Sequence, residues 1–287
     1  MLVTLKDMMG IAEKEGIAIG GFNTPNLASL EAVIGAAEEE KLPVILMFAE
    51  CHDEWVSLDL IGPAMLNAAK QATVPVCVHL DHGEHLEYLK KALELGFTGI
   101  MYDGSVLPYE ENVANTKKAV EMAREHGASV EAELGSMGRR ESGANDRSGD
   151  CDETKIYTDP DLAAEFVSAT GIDLLACSFG TTHGIYLKEP KLDLGIVRKV
   201  RKATDDVPVV MHGGSGVSRD DYHAVIQAGV RKINYFTYMD KAGGSGAKKH
   251  LDGLAPDAPQ FYSSVFLAAR DEMKENVRHA IRMFALK

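Results

Sequence analysis

Positive charge is scarce in this 287-residue chain: 30 Lys and Arg stand against 43 Asp and Glu, a formal net charge of −13. That balance argues against a polyanion-binding role, because nucleic-acid affinity needs clustered Lys and Arg to displace counterions. It leaves room for a small phosphorylated molecule, which a few backbone amides and one lysine can hold. Cysteine is sparse too. The four present, Cys51, Cys77, Cys151 and Cys177, show no C-x-x-C spacing, and three lie in or next to apolar runs, as small buried thiols do. Long hydrophobic runs are missing: none approaches the ~20 residues of a membrane span. The opening M-L-V-T-L-K-D-M-M-G has no signal-peptide core. These absences lead us to expect a soluble, reduced, cytoplasmic protein with no nucleic-acid or membrane partner.

What is present is a rhythm. Short β-branched runs, at 17–23, 43–48, 74–80, 98–103, 128–134, 173–178, 207–212 and 231–236, read as eight strands. Helical patterns at 26–40, 58–71, 83–95, 110–126, 159–169, 192–203, 218–228 and 262–285 separate or follow them. The strand runs are almost wholly apolar, as parallel strands covered on both faces are. Eight β-then-α units in a chain of this length predict an α/β fold, a single (β/α)8 TIM barrel spanning 1–287, with an open doubly wound sheet as the runner-up. Two stretches interrupt the rhythm. Residues 135–158 are polar, Gly-rich and too long for an ordinary βα loop, and read as a mobile functional loop. Residues 242–260 read as a short helix plus a linker, before a C-terminal helical segment near 258–287.

Polar residues collect where the strands stop, which in a barrel is the active face. Asn23 ends the first, Asp81 and His82 the third, and Asp103 the fourth. Glu131 and Glu133 lie near the end of the fifth, His183 follows the sixth and His212 ends the seventh. Asn234 and Thr237 finish the eighth. A lone histidine at such a place is more often structural. Three at equivalent rim positions, each followed by glycine, describe a catalytic zinc site of three neutral imidazoles with a position left open. His79 is the alternative ligand, since strand alternation turns it to the face of Asp81. Three nitrogen ligands suit Zn²⁺, with Co²⁺ or Fe²⁺ able to occupy the same cage. Such an ion polarises a carbonyl. Asp81 beside it reads as the acid/base group, or as a partner orienting an imidazole. Asp103 and Glu133 read as a second carboxylate metal position or as orienters of the histidines.

The G-G-S-G at 213–216 opens the turn after the seventh strand, where barrels often cradle phosphate. Asn234 and Thr237 share that corner, and Lys188 offers a countercharge unless it is simply solvated. Lysine is absent from the C-terminal ends of the strands, with Lys232 expected at the start of its own. A Schiff-base mechanism needs a lysine there, so carbonyl activation falls to the metal.

These residues resemble the class II, zinc-dependent ketose-bisphosphate aldolases. The resemblance covers almost the whole chain. It rests on G-F-N-x-x-N-L, H-L-D-H-G, G-F-T-G-I-M-Y-D-G-S, E-N-V-x-x-T-K, V-E-A-E-L-G, G-T-T-H-G-x-Y, H-G-G-S-G and K-I-N-x-x-T. It implies zinc at His82, His183 and His212, with Asp81 as the acid/base group and Asp103 and Glu133 at an associated metal position. It implies a dihydroxyacetone-phosphate pocket at Gly184, Lys188, Gly213, Ser215, Asn234 and Thr237. It also implies a monovalent cation, Na⁺ or K⁺, near Gly184 and Gly213, and Glu141 as a loop residue in proton transfer. The partner implied is a small sugar phosphate, and the assembly a homodimer or homotetramer.

Departures from the family pattern cluster at one end of the substrate. Relatives tend to carry Ser after the second strand, where this chain has Ala49 followed by Glu50-Cys51-His52-Asp53-Glu54. Relatives tend to carry D-P-R before the last helix, where this chain reads Phe261-Tyr262-Ser263. Both positions look like lost anchors for a second phosphate. The expectation is therefore a metal-dependent aldolase that cleaves a ketose 1-phosphate or 1,6-bisphosphate at C3–C4, with the distal phosphate site altered. Arg139, Arg140 or Arg270 is expected to meet any distal anion. A zinc hydrolase, a sugar epimerase and a non-catalytic sugar-phosphate sensor are the competing readings.

Overall fold

The computed structural model describes residues 1–135, 157–182, 184 and 190–287. Eight parallel strands close on themselves in chain order: β1 Ile19–Asn23, β2 Val44–Ala49, β3 Val76–Gly83, β4 Gly99–Tyr102, β5 Ser129–Leu134, β6 Leu174–Cys177, β7 Val209–Met211 and β8 Val230–Asn234. The helices are α1 Leu5–Glu15, α2 Leu27–Glu40, α3 Leu58–Gln71, α4 Leu86–Leu95, α5 Tyr109–Glu125, α6 Pro160–Thr170, α7 Leu194–Ala203, α8 Arg219–Ala228, α9 Thr237–Asp252 and α10 Tyr262–Phe284. The chain is a (β/α)8 TIM barrel, as the strand spacing predicts, and the open sheet is set aside by the β1–β8 pairing, Gly20 opposite Ile233.

Alternation along each strand divides the buried residues into two cores. Outward-facing Phe22, Leu46, Phe48, Val78, Leu80, Ile100, Val130, Ala132 and Ile233 pack beneath the helices. Inward-facing Ile19, Ile45, Met47, Cys77, Leu174, Ala176 and Val210 fill the lower barrel. Helix α1, absent from the sequence reading, plugs that lower end with Leu5, Met8, Met9 and Ala12. It starts at a capping box in which Thr4 accepts from the Asp7 amide and Asp7 accepts from the Thr4 amide.

The same alternation carries polar side chains into the upper barrel. His79 and Asp81 share the face of Cys77 on β3. Glu131 and Glu133 alternate with Val130 and Ala132 on β5, and Lys232 and Asn234 flank outward-facing Ile233 on β8. All six are buried. Lys232 is thus the third residue of a five-residue strand rather than its start, which corrects the sequence reading. The eighth strand ends at Asn234, so Thr237 belongs to the first turn of α9 and not to the strand.

Candidate active site

Strict alternation forbids Asp81 and His82 from facing the same way. The chain evades this at the top of β3. His82 adopts a left-handed backbone, φ +44°, and the β3–β4 register shifts between Leu80 and Gly83. A non-glycine residue in that region is strained, and such strain concentrates at functional sites. Its result here is that two consecutive side chains enter one cavity.

Asp81 is held from both sides. Its Oδ2 accepts from Asn23 Nδ2 at 2.9 Å and its Oδ1 from Asn234 Nδ2 at 3.0 Å. These amides come from the ends of β1 and β8, which are neighbours in the closed sheet. Burial opposes its charge, but His82, Lys232, His212 and His79 around it hold the carboxyl well below the usual carboxylate range. The side-chain Oδ1 atoms of Asn23 and Asn234 are buried and, among the described residues, accept no hydrogen bond. Buried acceptors without donors are costly, and hydroxyls of a bound polyol would satisfy them.

The histidines sit in a carboxylate frame. His82 Nδ1 lies 2.8 Å from Asp103 Oδ2, and Asp103 Oδ1 in turn accepts from Ser105 Oγ at 2.6 Å and from the Ser105 amide at 3.1 Å. Burial works against a proton on His82, yet Asp81, Asp103 and Glu133 lift it to about 10. His212 Nε2 lies 2.9 Å from Glu131 Oε1 and its Nδ1 3.1 Å from Glu133 Oε2. The two rings are 4.7 Å apart between centroids. Below them Glu131 Oε2 meets Lys232 Nζ at 2.8 Å and His79 Nε2 at 3.6 Å. Burial drives His79 down to about 3, keeping it neutral.

The donor set suits a divalent ion. Ligand atoms of Asp81, His82 and His212 lie within 4.8 Å of one another, as do those of His82, Asp103 and Glu133. Imidazole nitrogens mixed with carboxylates are what zinc-like ions take. Glu131 engages Nε2 of His212, the arrangement in which a carboxylate orients a ligating ring, and a metal at Nδ1 would lie beside Glu133, whose Oε2 is 3.1 Å from that nitrogen. His79 is not part of either donor set; it sits one layer lower, against Glu131.

Asn23, Asp81, His82, Gly184, Gly213, Ser215, Asn234 and Thr237 line one cavity, together with Tyr235 and Phe236. Ser215 Oγ accepts from the Phe236 amide at 3.2 Å, tying the turn after β7 to the start of α9. His183, Lys188 and Glu141 lie outside the described residues. A larger cavity, about 450 Å³, opens at the other end of the strands near Lys6, Arg124 and Asp173, and no histidine lines it.

The family profile described as fructose-bisphosphate aldolase class-II matches residues 3–287. The chain belongs to the class II fructose-bisphosphate aldolases. It is similar to a probable fructose-bisphosphate aldolase of Bacillus subtilis, 40% identical over 99% of this chain and 97% of that one. A fructose-bisphosphate aldolase of Staphylococcus aureus is 38% identical over the same shares. Among solved structures, the YdjI aldolase from Escherichia coli superimposes with a TM-score of 0.86, at 36% identity, over 99% of this chain and 97% of that one.

As a class II aldolase the protein is a carbon–carbon lyase. The positions expected from the sequence to depart from the family pattern can be placed. Ala49 closes β2 and is buried, and a single 3₁₀ turn, Glu50–Glu54, follows it. Glu50 accepts from the Glu84 amide at 2.7 Å, and Asp53 from the Tyr88 hydroxyl at 2.6 Å, so two carboxylates fix that turn to the β3–α4 connection and to α4 itself. Phe261 and Tyr262 are exposed at the start of α10. Arg270 pairs with Asp271 at 2.8 Å and Glu31 at 3.2 Å on the α10–α2 surface. Arg139 and Arg140 lie outside the described residues. What the sequence reading undervalued is Glu131 and Lys232. The signal was available: Glu131 shares a face with Glu133, and Lys232 with Asn234.

Proposed function

We propose that this aldolase cleaves the C3–C4 bond of a ketose 1-phosphate, releasing dihydroxyacetone phosphate and an aldehyde that carries no second phosphate. The observation that carries the reading is Asp81, fixed by two amides beside His82 and His212. His82 and His212, with His183 by family resemblance, are the residues that would hold Zn²⁺, and Asp103 and Glu133 a second divalent position. The ion, when bound, supplies Lewis-acid polarisation of the sugar carbonyl.

The remaining work falls to side chains. Asn23 and Asn234 present their unpaired carbonyl oxygens to substrate hydroxyls. Asp81, ionised and aligned by the same two residues, accepts the C4 hydroxyl proton. The C3–C4 electron pair then moves to the triose-phosphate half as C4 becomes an aldehyde carbonyl. A proton returned to C3 completes dihydroxyacetone phosphate, and Glu141 is the family-implied candidate to move it. Gly184, Gly213, Ser215 and Thr237, with Lys188, are the proposed phosphate cradle, and Na⁺ or K⁺ near Gly184 and Gly213 its countercharge. Loss of the Ser and D-P-R positions supports a changed distal end.

The experiment is a substrate panel with the Zn²⁺-loaded enzyme, following dihydroxyacetone phosphate through a coupled reductase. Ketose 1-phosphates should be cleaved in preference to bisphosphates. The relatives' names make fructose 1,6-bisphosphate the second reading, and a strong preference for it, or for tagatose 1,6-bisphosphate, would reject the distal part of ours.

A further inference from the structure

An aromatic cluster reaches the catalytic cavity through Phe236 and has no part in the chemistry above. Phe236, which lines the cavity beside Asn234, lies 5.2 Å from the ring of His52. His52 stacks on Trp55 at 4.6 Å with the planes 23° apart, and Phe48 meets it edge-on at 5.9 Å. Trp55, the one tryptophan of the chain, is 62% exposed. His52 is 3% exposed, and its buried Nδ1 has no hydrogen-bond partner among the described residues. It lies close enough to the catalytic groups to feel the charges of Asp81 and His82, while burial pushes it down to about 4 and keeps it neutral.

We propose that His52, Trp55 and Phe236 form the specificity wall for the aldehyde half of the substrate, selecting a neutral hydroxyaldehyde segment over a phosphorylated one. The inference rests on the reading that the enzyme makes dihydroxyacetone phosphate from a ketose 1-phosphate. Two physical features support it. The three rings carry no positive charge, and the turn that bears His52 and leads into Trp55 is acidic, with Glu50, Asp53 and Glu54 in five residues. A phosphate dianion against it would be desolvated with nothing to replace its water, and repelled by the turn. A sugar segment instead offers C–H groups to the ring faces and hydroxyls to the unpaired His52 nitrogen, the mixed apolar and polar contact that pockets use for orientation.

The test uses the Zn²⁺-loaded full chain and two assays. One is cleavage of fructose 1-phosphate and fructose 1,6-bisphosphate. The other is solvent deuterium exchange into dihydroxyacetone phosphate alone, a half-reaction that never involves the aldehyde. Trp55→Ala should lower kcat/KM for the 1-phosphate roughly tenfold, through KM, while exchange stays at the wild-type rate. His52→Phe, which keeps the ring and removes the nitrogens, should lower it in the same direction. Unchanged 1-phosphate kinetics in both variants would overturn the wall while leaving the proposed reaction standing. Equal loss of exchange and cleavage in Trp55→Ala would also overturn it, since the residue would then support the whole site. Absence of both cleavage and exchange in the wild type would instead refute the underlying reaction.

Discussion

Lys232 Nζ lies 2.8 Å from Glu131 Oε2, and neither side chain reaches solvent. The contact is an ion pair rather than an aligned hydrogen bond. It sits directly below the site, and the other oxygen of Glu131 faces His212 at 2.9 Å. Glu131 is lowered to about 2: burial resists its charge, and Lys232, His212 and His79 outweigh burial. The pair therefore anchors a carboxylate whose task is to fix one imidazole.

Removing one member of such a pair leaves a bare charge in the barrel. Lys232→Met should cost about 3–5 kcal/mol, and Lys232→Met combined with Glu131→Gln should recover part of it. Chemical denaturation of the single and double variants measures the difference. Glu131→Gln alone should weaken metal affinity by roughly 10–100-fold, read by competition with a chelating dye.

Among the described residues, the hydrogen bonds to Asp81 come from the side chains of Asn23 and Asn234. Asp81→Ala should lower kcat by about 10²–10⁴ and also lower the melting temperature, because it leaves the buried amides of Asn23 and Asn234 without an acceptor. Steady-state kinetics and calorimetry on one preparation check both halves.

His52 gives the fold a pH dependence whose sign is fixed. Buried neutral, it titrates near 4 in the native state against about 6.5 when unfolded. The unfolded chain binds the extra proton between those values, so stability falls as pH drops through about 6.5, and the loss is complete near pH 4. The penalty is on the order of 3 kcal/mol. His52→Phe should remove it, so from pH 7 to pH 4.5 the wild type should lose more stability than the variant does, by on the order of 3 kcal/mol, in urea titrations at both values.

The described cysteines differ in reach. Burial pushes Cys77 and Cys177 up to about 12, while Cys51 is exposed on the 3₁₀ turn. Iodoacetamide applied to the native protein at pH 8 should label Cys51 and spare Cys77 and Cys177, as peptide mass spectrometry will report.

Much of this architecture is legible in the sequence, because parallel strands buried on both faces announce themselves as apolar runs. The positions of β1 to β8 and the helix over 58–71 follow from that alone. Helix α9 does not. Its Gly243, Gly244 and Gly246 argue against a helix by propensity, yet two of them are what the packing requires. A Cβ on Gly243 would stand 2.1 Å from Met273 Cε, and one on Gly246 2.5 Å from the Ala268 carbonyl oxygen, both on α10. Close helix contact overrides propensity there. In the site, the rim residues could be found by asking what stands at strand ends. The joint placement of Asp81 and His82 could not, because it depends on a left-handed residue and a register shift that period-2 reasoning does not contain. Lys232 was misplaced because the eighth strand begins one residue earlier, and ends two residues earlier, than its apolar run suggests.

The account depends most on a divalent ion at His82 and His212. Elemental analysis of the purified protein, paired with dihydroxyacetone phosphate release before and after chelation, tests it most directly. We expect at least one zinc-like ion per chain, loss of release on chelation, and recovery on adding Zn²⁺. Full activity from protein shown to be metal-free would contradict it.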